Sequence, residues 1–374
     1  MRAHNERLVL SLVRQHQALA KSELARMTGL SAQTVSVIMR QLEQDGLLLR
    51  GEPVRGKVGQ PSVPMRLDPN GAWFVGVKIG RRSTESVLID FLGNLHDRRR
   101  ETYPYPTPDA TLGFATAQID ALLETMPRAQ RAKVAGVGVA MPFFLWDWAQ
   151  TLEVPPEKME PWRQFDMHGE LARRHDLPIL LQNDATAACG AELVFGPPDG
   201  PRDFLYFYVG FFIGGGVVLN GNIYAGRGNS GALGPLPVSS EDGQVRPLID
   251  VASLYTLERS LLAAGKPAHL LWESAAHWDV PDAVLRPWVR QAALGLAQAI
   301  VSACSVIDFD TVKIDGWLPA PVRHALVAEV DDQLSRFNTT GLVRPKIEAG
   351  TIGPDARALG AASLPLSERY LVEP

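Results

Sequence analysis

In VGVKIGRRST, at residues 75–84, an apolar run leads into a glycine turn and then a basic, hydroxyl-bearing segment. SVLIDFLGNL at residues 86–95 reads as its return strand. A second unit of the same kind, FLYFYVGFFIGGGVVLNGNIYAG at residues 204–226, follows about 130 residues later. Strand–glycine-turn–strand units that recur with helices between them predict an α/β protein with a duplicated lobe.

Helices and strands alternate between these two units. Helical patterns cover residues 111–126 and 167–175, and a further helix begins with ATAACGAELVFG at residue 185. VAGVGVAMP at 134–142 and PILLQND at 178–184 read as buried strands, separated by an insert rich in Trp and Pro. This alternation supports the α/β prediction.

A helix-turn-helix is predicted for KSELARMTGLSAQTVSVIMRQLEQDGLLLR at residues 21–50. Apolar residues at helical spacing mark the faces of three helices: Leu8, Leu12 and Val13, then Leu24, Ala25 and Leu30, then Val35, Ile38, Met39 and Leu42. Gly29 takes a positive φ at low cost, as a sharp turn requires, and Ser31 is well placed to cap the next helix. An ordinary helical subdomain followed by a linker is the alternative.

The last of these helices carries the candidate base contacts. Its outward residues are predicted to be Ser31, Ala32, Gln33, Thr34, Ser36 and Arg40. Small polar residues suit base edges, and an arginine suits a phosphate. Strands at Leu47–Arg50 and Val63–Leu67 flank a segment rich in Gly, Pro and basic residues, with Arg55 and Lys57 at its tip. Together these features predict a winged helix.

Charge and composition argue against a membrane, secreted or disulfide-rich protein. Residues 1–67 carry ten Lys and Arg against five Asp and Glu, while the rest carries 27 against 36, so a small basic head precedes an acidic body. No apolar run approaches the roughly 18 residues of a membrane span. The N-terminus lacks a signal-peptide core, so a cytoplasmic location without membrane partners is expected. Cys189 and Cys304 provide neither a disulfide framework nor a four-cysteine zinc site.

Five motifs, in this order, carry a family resemblance. They are Gly59-Gln60-Pro61, GVGVAMP at 136–142, QNDATAACGAE at 182–192, VGFFIGGGVVLNGNIYAGRGNSGALG at 209–234 and ALGAASLPL at 358–366. The chain thereby resembles the winged-helix repressor branch of the ROK family (repressors, uncharacterised reading frames and sugar kinases) over essentially its whole length. Gln60 joins the candidate DNA contacts of the wing on this resemblance.

The resemblance implies a two-lobed actin-like or hexokinase-like (ribonuclease H-like) ATPase fold after the winged helix. A sugar binds between the lobes, and in kinase members a nucleotide binds beside it. The expected domains are the winged helix at 1–68, a first lobe at 69–185 plus 357–374, and a second lobe at 186–356, which provides oligomerisation and a wall of the cleft.

The chain departs from the family's kinases at both phosphate turns. Lys78 stands where the first turn has an Asp, and Gly210-Phe211-Phe212 replaces the usual Gly-Thr-Gly of the second. Phosphoryl transfer depends on positioned Mg²⁺ and close backbone donors, and a lysine cannot coordinate Mg²⁺. The sequence therefore predicts no enzymatic activity and no cofactor.

The residues that bind the sugar in the family are only partly retained in this chain. Asn183 and Asp184 match the family's Asn-Asp pair. The Asp184 carboxylate can accept hydrogen bonds from two hydroxyls of a sugar. The alternative role for Asp184 is to cap the helix that follows it. Gly231 retains the first glycine of Gly-Glu-x-Gly-His, but Ala232 and Pro235 replace its Glu and His. The family's cysteine cluster for zinc is missing, so no metal is expected.

The Trp-rich insert supplies further effector candidates. Trp146 and Trp162 offer stacking faces for a sugar, with ordinary packing or a lid as the alternative.

The predicted function is a DNA-binding transcriptional regulator, a repressor of carbohydrate uptake or catabolism genes that responds to a sugar or sugar derivative. Its expected partners are a double-stranded operator, that effector and further copies of itself, as a dimer or tetramer. Two alternatives stay open: a ROK-type sugar kinase with a DNA-binding head, and a regulator whose body only oligomerises or binds a protein partner.

Overall fold

The computed structural model describes residues 4–53, 63–240 and 242–372. Contacts divide the chain into two compact units: Met1–Asp184 with Ala358–Pro374, and Ala185–Arg357. The first unit therefore contains the N-terminal helices as well as the first lobe, and the predicted boundary at residue 68 lies inside it. The three-way domain division stays a prediction.

Three helices and a pair of strands form the N-terminal part. They are α1 (His4–His16), α2 (Lys21–Thr28), α3 (Ala32–Gln44), β1 (Leu48–Arg50) and β2 (Met65–Leu67). The turn between α2 and α3 is as expected: Gly29 has a φ of 69°, and the Ser31 hydroxyl accepts a 3.1 Å hydrogen bond from the Thr34 N–H. Local chemistry therefore fixes both the end of α2 and the start of α3.

The core of this part differs slightly from the predicted pattern. It consists of Val9, Leu10, Val13, Leu24, Val35, Met39 and Leu42. Leu8 and Leu12 are only half-buried, so α1 turns Val9 and Leu10 inward instead. Strands β1 and β2 pair antiparallel, as a winged helix requires. The predicted wing residues Arg55, Lys57 and Gln60 lie outside the described residues.

The first lobe is a five-stranded sheet with helices. Its elements are β3 (Trp73–Ile79), β4 (Ser83–Asp90), β5 (Leu95–Thr102), α4 (Pro108–Thr125), α5 (Arg128–Arg131), β6 (Val134–Ala140), α6 (Ala149–Leu152), α7 (Pro156–Met159), α8 (Met167–Ala172) and β7 (Ile179–Gln182). The strand order is β5-β4-β3-β6-β7. Strands β3, β6 and β7 are parallel, while β4 and β5 are antiparallel to their neighbours.

The second unit repeats this plan. Its elements are α9 (Asp184–Phe195), β8 (Phe204–Val209), β9 (Ile213–Leu219), β10 (Asn222–Ile223), β11 (Pro237–Ser239), β12 (Val245–Pro247), α10 (Ile249–Ala252), α11 (Leu254–Ala263), α12 (Asp282–Cys304), β13 (Thr311–Gly316), α13 (Ala320–Ser335) and β14 (Lys346–Ala349). The order β10-β9-β8-β13-β14 places a hairpin beside parallel strands again. The predicted duplication is confirmed in the strand order.

The last helix, α14 (Ala356–Tyr370), returns to the first unit. It packs directly on β3 and β6, because a Cβ on Gly138 would lie 1.8 Å from the Ala361 carbonyl oxygen and one on Gly76 would lie 2.4 Å from that of Ala358. Small residues on both surfaces thus allow a backbone-to-backbone approach. The ALGAASLPL ending is therefore a packing surface.

Candidate DNA-binding and effector sites

The outward face of α3 matches most of the predicted DNA-contact set. Ala32, Gln33, Thr34 and Arg40 are exposed, as is the capping residue Ser31. Ser36 is half-buried and contributes less to this face than the sequence suggested. The face is polar and carries one exposed cation, which suits a nucleic-acid surface.

The one acidic residue of α3 is neutralised by a neighbour. Arg50 of β1 donates two hydrogen bonds to the Glu43 carboxylate, of 2.7 and 3.0 Å. This hydrogen-bonded guanidinium lowers the pKa of Glu43. The pair offsets the negative charge of Glu43, which leaves Arg40 as the other charged residue of α3.

Sequence reasoning missed Val37. Its side chain is 61% exposed, and it lies one helical turn from Gln33 on the outward face. The helical period of 3.6 residues places Val37 on the same face as Gln33, so the signal was present in the sequence. It was overlooked because the outward face was predicted from its polar residues alone.

Arg14 joins α1 to the first lobe. Its guanidinium donates to the backbone carbonyls of Phe91 and Leu92 in the β4–β5 turn, and lies 5.6 Å from the centre of the Phe91 ring. Burial lowers the pKa of Arg14 to about 10, and the nearby Asp90 carboxylate partly offsets this shift. These contacts of the Arg14 guanidinium attach α1 to the turn between β4 and β5.

The end of the chain provides a second attachment. The Val372 N–H donates a 3.0 Å hydrogen bond to the Ser11 hydroxyl of α1. Within the first unit, α1 is therefore held both by the β4–β5 turn and by the segment that follows α14.

The effector candidates Asn183 and Asp184 lie at the carboxyl edge of the first sheet. The Met141 N–H, just after β6, donates 3.0 Å to the Gln182 carbonyl at the end of β7. The Asn183 N–H donates 2.7 Å to the Gln182 side-chain oxygen, and Asp184 is the first residue of α9. Ligands of open α/β sheets bind at this edge. A carboxylate at a helix N-terminus is also favourable on its own, so both predicted roles of Asp184 fit the geometry.

Lys78 lies near the end of β3 at the same edge. It is 8% exposed, and its ammonium donates a 3.1 Å hydrogen bond to the Ser83 hydroxyl. Glu85 stands directly opposite on β4. The ammonium group of Lys78 is therefore hydrogen-bonded within the β3–β4 hairpin.

The two candidate tryptophans have different environments. Trp146 is half-buried, with the Arg163 guanidinium 5.0 Å from its ring centre. Trp162 is 4% exposed and donates its indole N–H to the Pro106 carbonyl at 2.9 Å. Burial argues against Trp162 as a stacking face and leaves Trp146 as the better candidate.

The turn between β8 and β9 is filled by aromatic rings. The Phe211 ring lies 4.8 Å from Phe212, 5.9 Å from Tyr255 and 6.0 Å from Trp272, centre to centre. The backbone N–H of Ile213, which ends the turn, donates a 2.9 Å hydrogen bond to the Ser253 hydroxyl.

Gly231 belongs to the second unit and has a φ of 82°. A Cβ there would lie 2.6 Å from the Cα of Gly216 on β9. No side chain fits without displacing that strand, so Gly231 has a packing role whatever it contacts besides.

Two family models match the chain, one over its N-terminal part and one over most of the remainder. The ROK family matches residues 74–368. The chain belongs to the ROK family. A family described as winged helix-turn-helix DNA-binding matches residues 2–48 of this ROK protein. The predicted family and the predicted N-terminal winged helix-turn-helix are thereby confirmed.

Relatives of this ROK protein include named regulators. An uncharacterized protein of Sinorhizobium fredii is 26% identical over 373 residues, which are 98% of this chain and 91% of the relative. The xylose repressor of Bacillus subtilis is 23% identical over 235 residues, 63% of this chain and 60% of the repressor. A transcriptional regulator of Mycobacterium tuberculosis is 28% identical over 240 residues, 62% of this chain and 53% of the regulator.

Solved structures confirm the predicted fold class. A ROK family transcriptional regulator, a homolog of the E. coli MLC protein, superposes with a TM-score of 0.68 at 19% identity, covering 98% of this chain and 97% of the other. A ROK family glucokinase from Streptomyces griseus, in complex with glucose and AMPPNP, gives 0.62 at 20% identity, covering 78% of this chain and 99% of the kinase. At these identities the similarity shows the fold alone.

Two further findings concern metals and membranes. Across residues 4–53, 63–240 and 242–372, no group of three or more His, Cys, Asp or Glu side chains is arranged to hold a metal ion. None of the helices in the part of the chain that the structure describes has the length and apolar content of a membrane span.

Proposed function

We propose that this ROK protein is a DNA-binding transcriptional regulator that represses carbohydrate genes and responds to a sugar or sugar derivative. The observation that carries the proposal is the capped helix α3, whose exposed face is polar, with Glu43 neutralised by Arg50. Helices of this kind enter the major groove of DNA. The named xylose repressors and transcriptional regulators among its relatives support a regulatory role.

The proposed effector site uses Asn183 and Asp184 at the carboxyl edge of the first sheet, with Trp146 as a stacking surface. A carboxylate accepts charge-assisted hydrogen bonds from two adjacent hydroxyls, which suits a polyhydroxylated ligand. Gly231 and Trp162 remain secondary candidates, because the first packs against β9 and the second is buried.

The kinase alternative is less well supported. Lys78 provides no oxygen ligand for Mg²⁺ and is hydrogen-bonded to Ser83. In the second unit the Ile213 N–H already donates to Ser253, and Phe211 and Phe212 fill the turn with rings. A phosphate would need backbone donors and space at such a turn. We therefore propose that the protein catalyses no phosphoryl transfer.

Function as a homo-oligomer, a dimer or tetramer, is part of the proposal, because two recognition helices match two half-sites. A regulator whose body only oligomerises or binds a protein partner is the remaining alternative. It differs from our proposal in one measurable respect, namely that no sugar would change its affinity for DNA.

The proposal is tested by selecting duplexes from a randomised DNA pool with the full chain and measuring their affinity by fluorescence anisotropy over a salt series. Arg40→Ala should weaken binding to all duplexes and flatten the dependence of affinity on salt, since it removes one phosphate contact. Arg286→Ala is the matched control, because Arg286 is an exposed arginine of the second unit, paired with Asp282.

Two outcomes would contradict the proposal. Failure of the wild type to enrich any duplex would remove the DNA-binding role, and unchanged affinity of Arg40→Ala would remove the assignment of α3. A calorimetric screen of sugars, polyols and their phosphates, with ATP hydrolysis measured in parallel, separates the sugar-responsive regulator from the kinase and from the regulator without a small ligand.

A further inference from the structure

The outward face of α3 contains an exposed apolar side chain among its polar residues. Val37 is 61% exposed, and Gln33 and Arg40 are exposed one turn before and one turn after it. Val35, Met39 and Leu42 on the other side of the helix are buried. Val37 is therefore fixed on the face that the packing of α3 turns to solvent.

Exposure alone does not assign a role. Val306, in the second unit, is 84% exposed, and single exposed apolar residues are normal. The surroundings of Val37 are what distinguish it. It shares a face with a glutamine and an arginine, and the one carboxylate of its helix is bound by Arg50. Such a face is compatible with a polyanion and with base edges.

The chemistry of the major groove supplies one suitable apolar partner. Among the four bases, only thymine presents a methyl group there, while the other edges offer hydrogen-bond donors and acceptors. A valine side chain neither donates nor accepts hydrogen bonds. A valine that enters the groove therefore gains most beside a thymine methyl group.

We propose that Val37 is a specificity-determining residue that contacts the C5-methyl group of a thymine in the operator. This inference rests on the proposed DNA-binding function and deepens it. Four residues along a helix correspond to about 6 Å at 1.5 Å per residue, which is roughly two base steps of 3.4 Å. Val37 and Gln33 thus reach different base pairs, and a glutamine pairs well with adenine.

The test uses the duplex that the wild-type chain selects. Each thymine is replaced in turn by deoxyuridine, which removes only the methyl group, and affinity is measured by anisotropy. At one position in each half-site the wild type should lose affinity by about fourfold, the effect of withdrawing one methyl group from an apolar contact. Val37→Ala has a shorter apolar side chain, so its penalty at that position should be clearly smaller than that of the wild type, while the wild-type penalty is retained elsewhere.

Val306→Ala is the matched control and should behave as the wild type. Melting curves of all three proteins establish that they are folded. A Val37→Ala protein with the full wild-type pattern of deoxyuridine penalties overturns the inference and leaves the proposed function intact, as does a wild type insensitive to every replacement. A wild type that enriches no duplex overturns both.

Discussion

The β3–β4 turn and the β8–β9 turn occupy equivalent places in two sheets of the same strand order, yet they are stabilised by opposite chemistry. The first contains a buried lysine hydrogen-bonded within its own hairpin. The second contains two phenylalanines packed against Tyr255 and Trp272, with backbone hydrogen bonds to residues at the start of α11. A duplicated topology therefore fixes where a turn lies and leaves its chemistry free to diverge.

The comparison also separates two kinds of mutational effect. The half-buried rings of the aromatic turn pack against Tyr255 and Trp272, so changes there should act mainly on stability. The polar edge of the first sheet combines structural groups with candidate ligand contacts, so changes there should act on stability or on the response to a ligand, depending on the residue.

The largest effect is expected for Phe211→Ala. Removing this half-buried ring takes away contacts with Phe212, Tyr255 and Trp272, and should lower the free energy of unfolding by about 2 to 3 kcal/mol, at or below the range for a fully buried phenylalanine. Denaturant unfolding measures this change. Phe144→Ala is the control, because Phe144 is 49% exposed and its loss should cost much less. Equal costs for the two variants would show that the aromatic turn is not a packing element.

A smaller effect is expected for Lys78→Asp, which places the residue of the family's kinases at this position. The new carboxylate would lie opposite Glu85 in a buried hairpin, and the free energy of unfolding should fall by about 2 kcal/mol. Lys78→Met keeps the apolar stem and should remain within about 1 kcal/mol of the wild type. Magnesium-dependent ATP hydrolysis by a stable Lys78→Asp protein would contradict the account of both turns.

The smallest effect is expected for Asp184→Ala, and it should appear in ligand response. Loss of one carboxylate that accepts hydrogen bonds from two hydroxyls should weaken effector affinity by about tenfold, or about 1.4 kcal/mol. Operator affinity without effector should stay near the wild-type value. The experiment measures operator affinity with and without effector, together with a melting curve.

Asp166→Ala is the matched control for this variant, since the Asp166 carboxylate caps α8 by accepting a hydrogen bond from the Gly169 N–H. It should lose about 1 kcal/mol of stability and keep the response. If Asp184→Ala behaves in the same way, Asp184 is a helix-capping residue only.

Local pattern was sufficient to predict the elements that position the candidate sites. The glycine turns between strands and the Gly29–Ser31 turn are specified by residues within a few positions of each other, and the structure places each as expected. The overall fold was predicted from the family resemblance, and three of its motifs, at 136–142, 182–192 and 209–234, lie at the ends of β6, β7 and β8. The motif at 358–366 lies within α14, and Gly59-Gln60-Pro61 lies outside the described residues.

Long-range packing was not predictable in this way. Arg14 meets the Phe91 and Leu92 carbonyls across nearly 80 positions of sequence, and no local period reveals such a partner. Trp162 is buried and donates its indole N–H to the Pro106 carbonyl, 56 positions away, and the sequence alone left sugar stacking and packing as alternatives for it. Val37 was missed because the outward face of α3 was predicted from its polar residues alone, and Val37 was placed on neither face.

The return of α14 to the first unit has a consequence for the order of synthesis. Residues 185–357 form one continuous unit, so the ribosome completes it while the first unit still lacks α14. Until α14 emerges, the glycine-lined surface of β3 and β6 and the Ser11 hydroxyl of α1 have no partner from the end of the chain. Because domains generally fold as units during translation, the N-terminal helices reach their final attachment only after the last helix has been made. A nascent chain therefore completes its first unit last, although most of that unit is translated first.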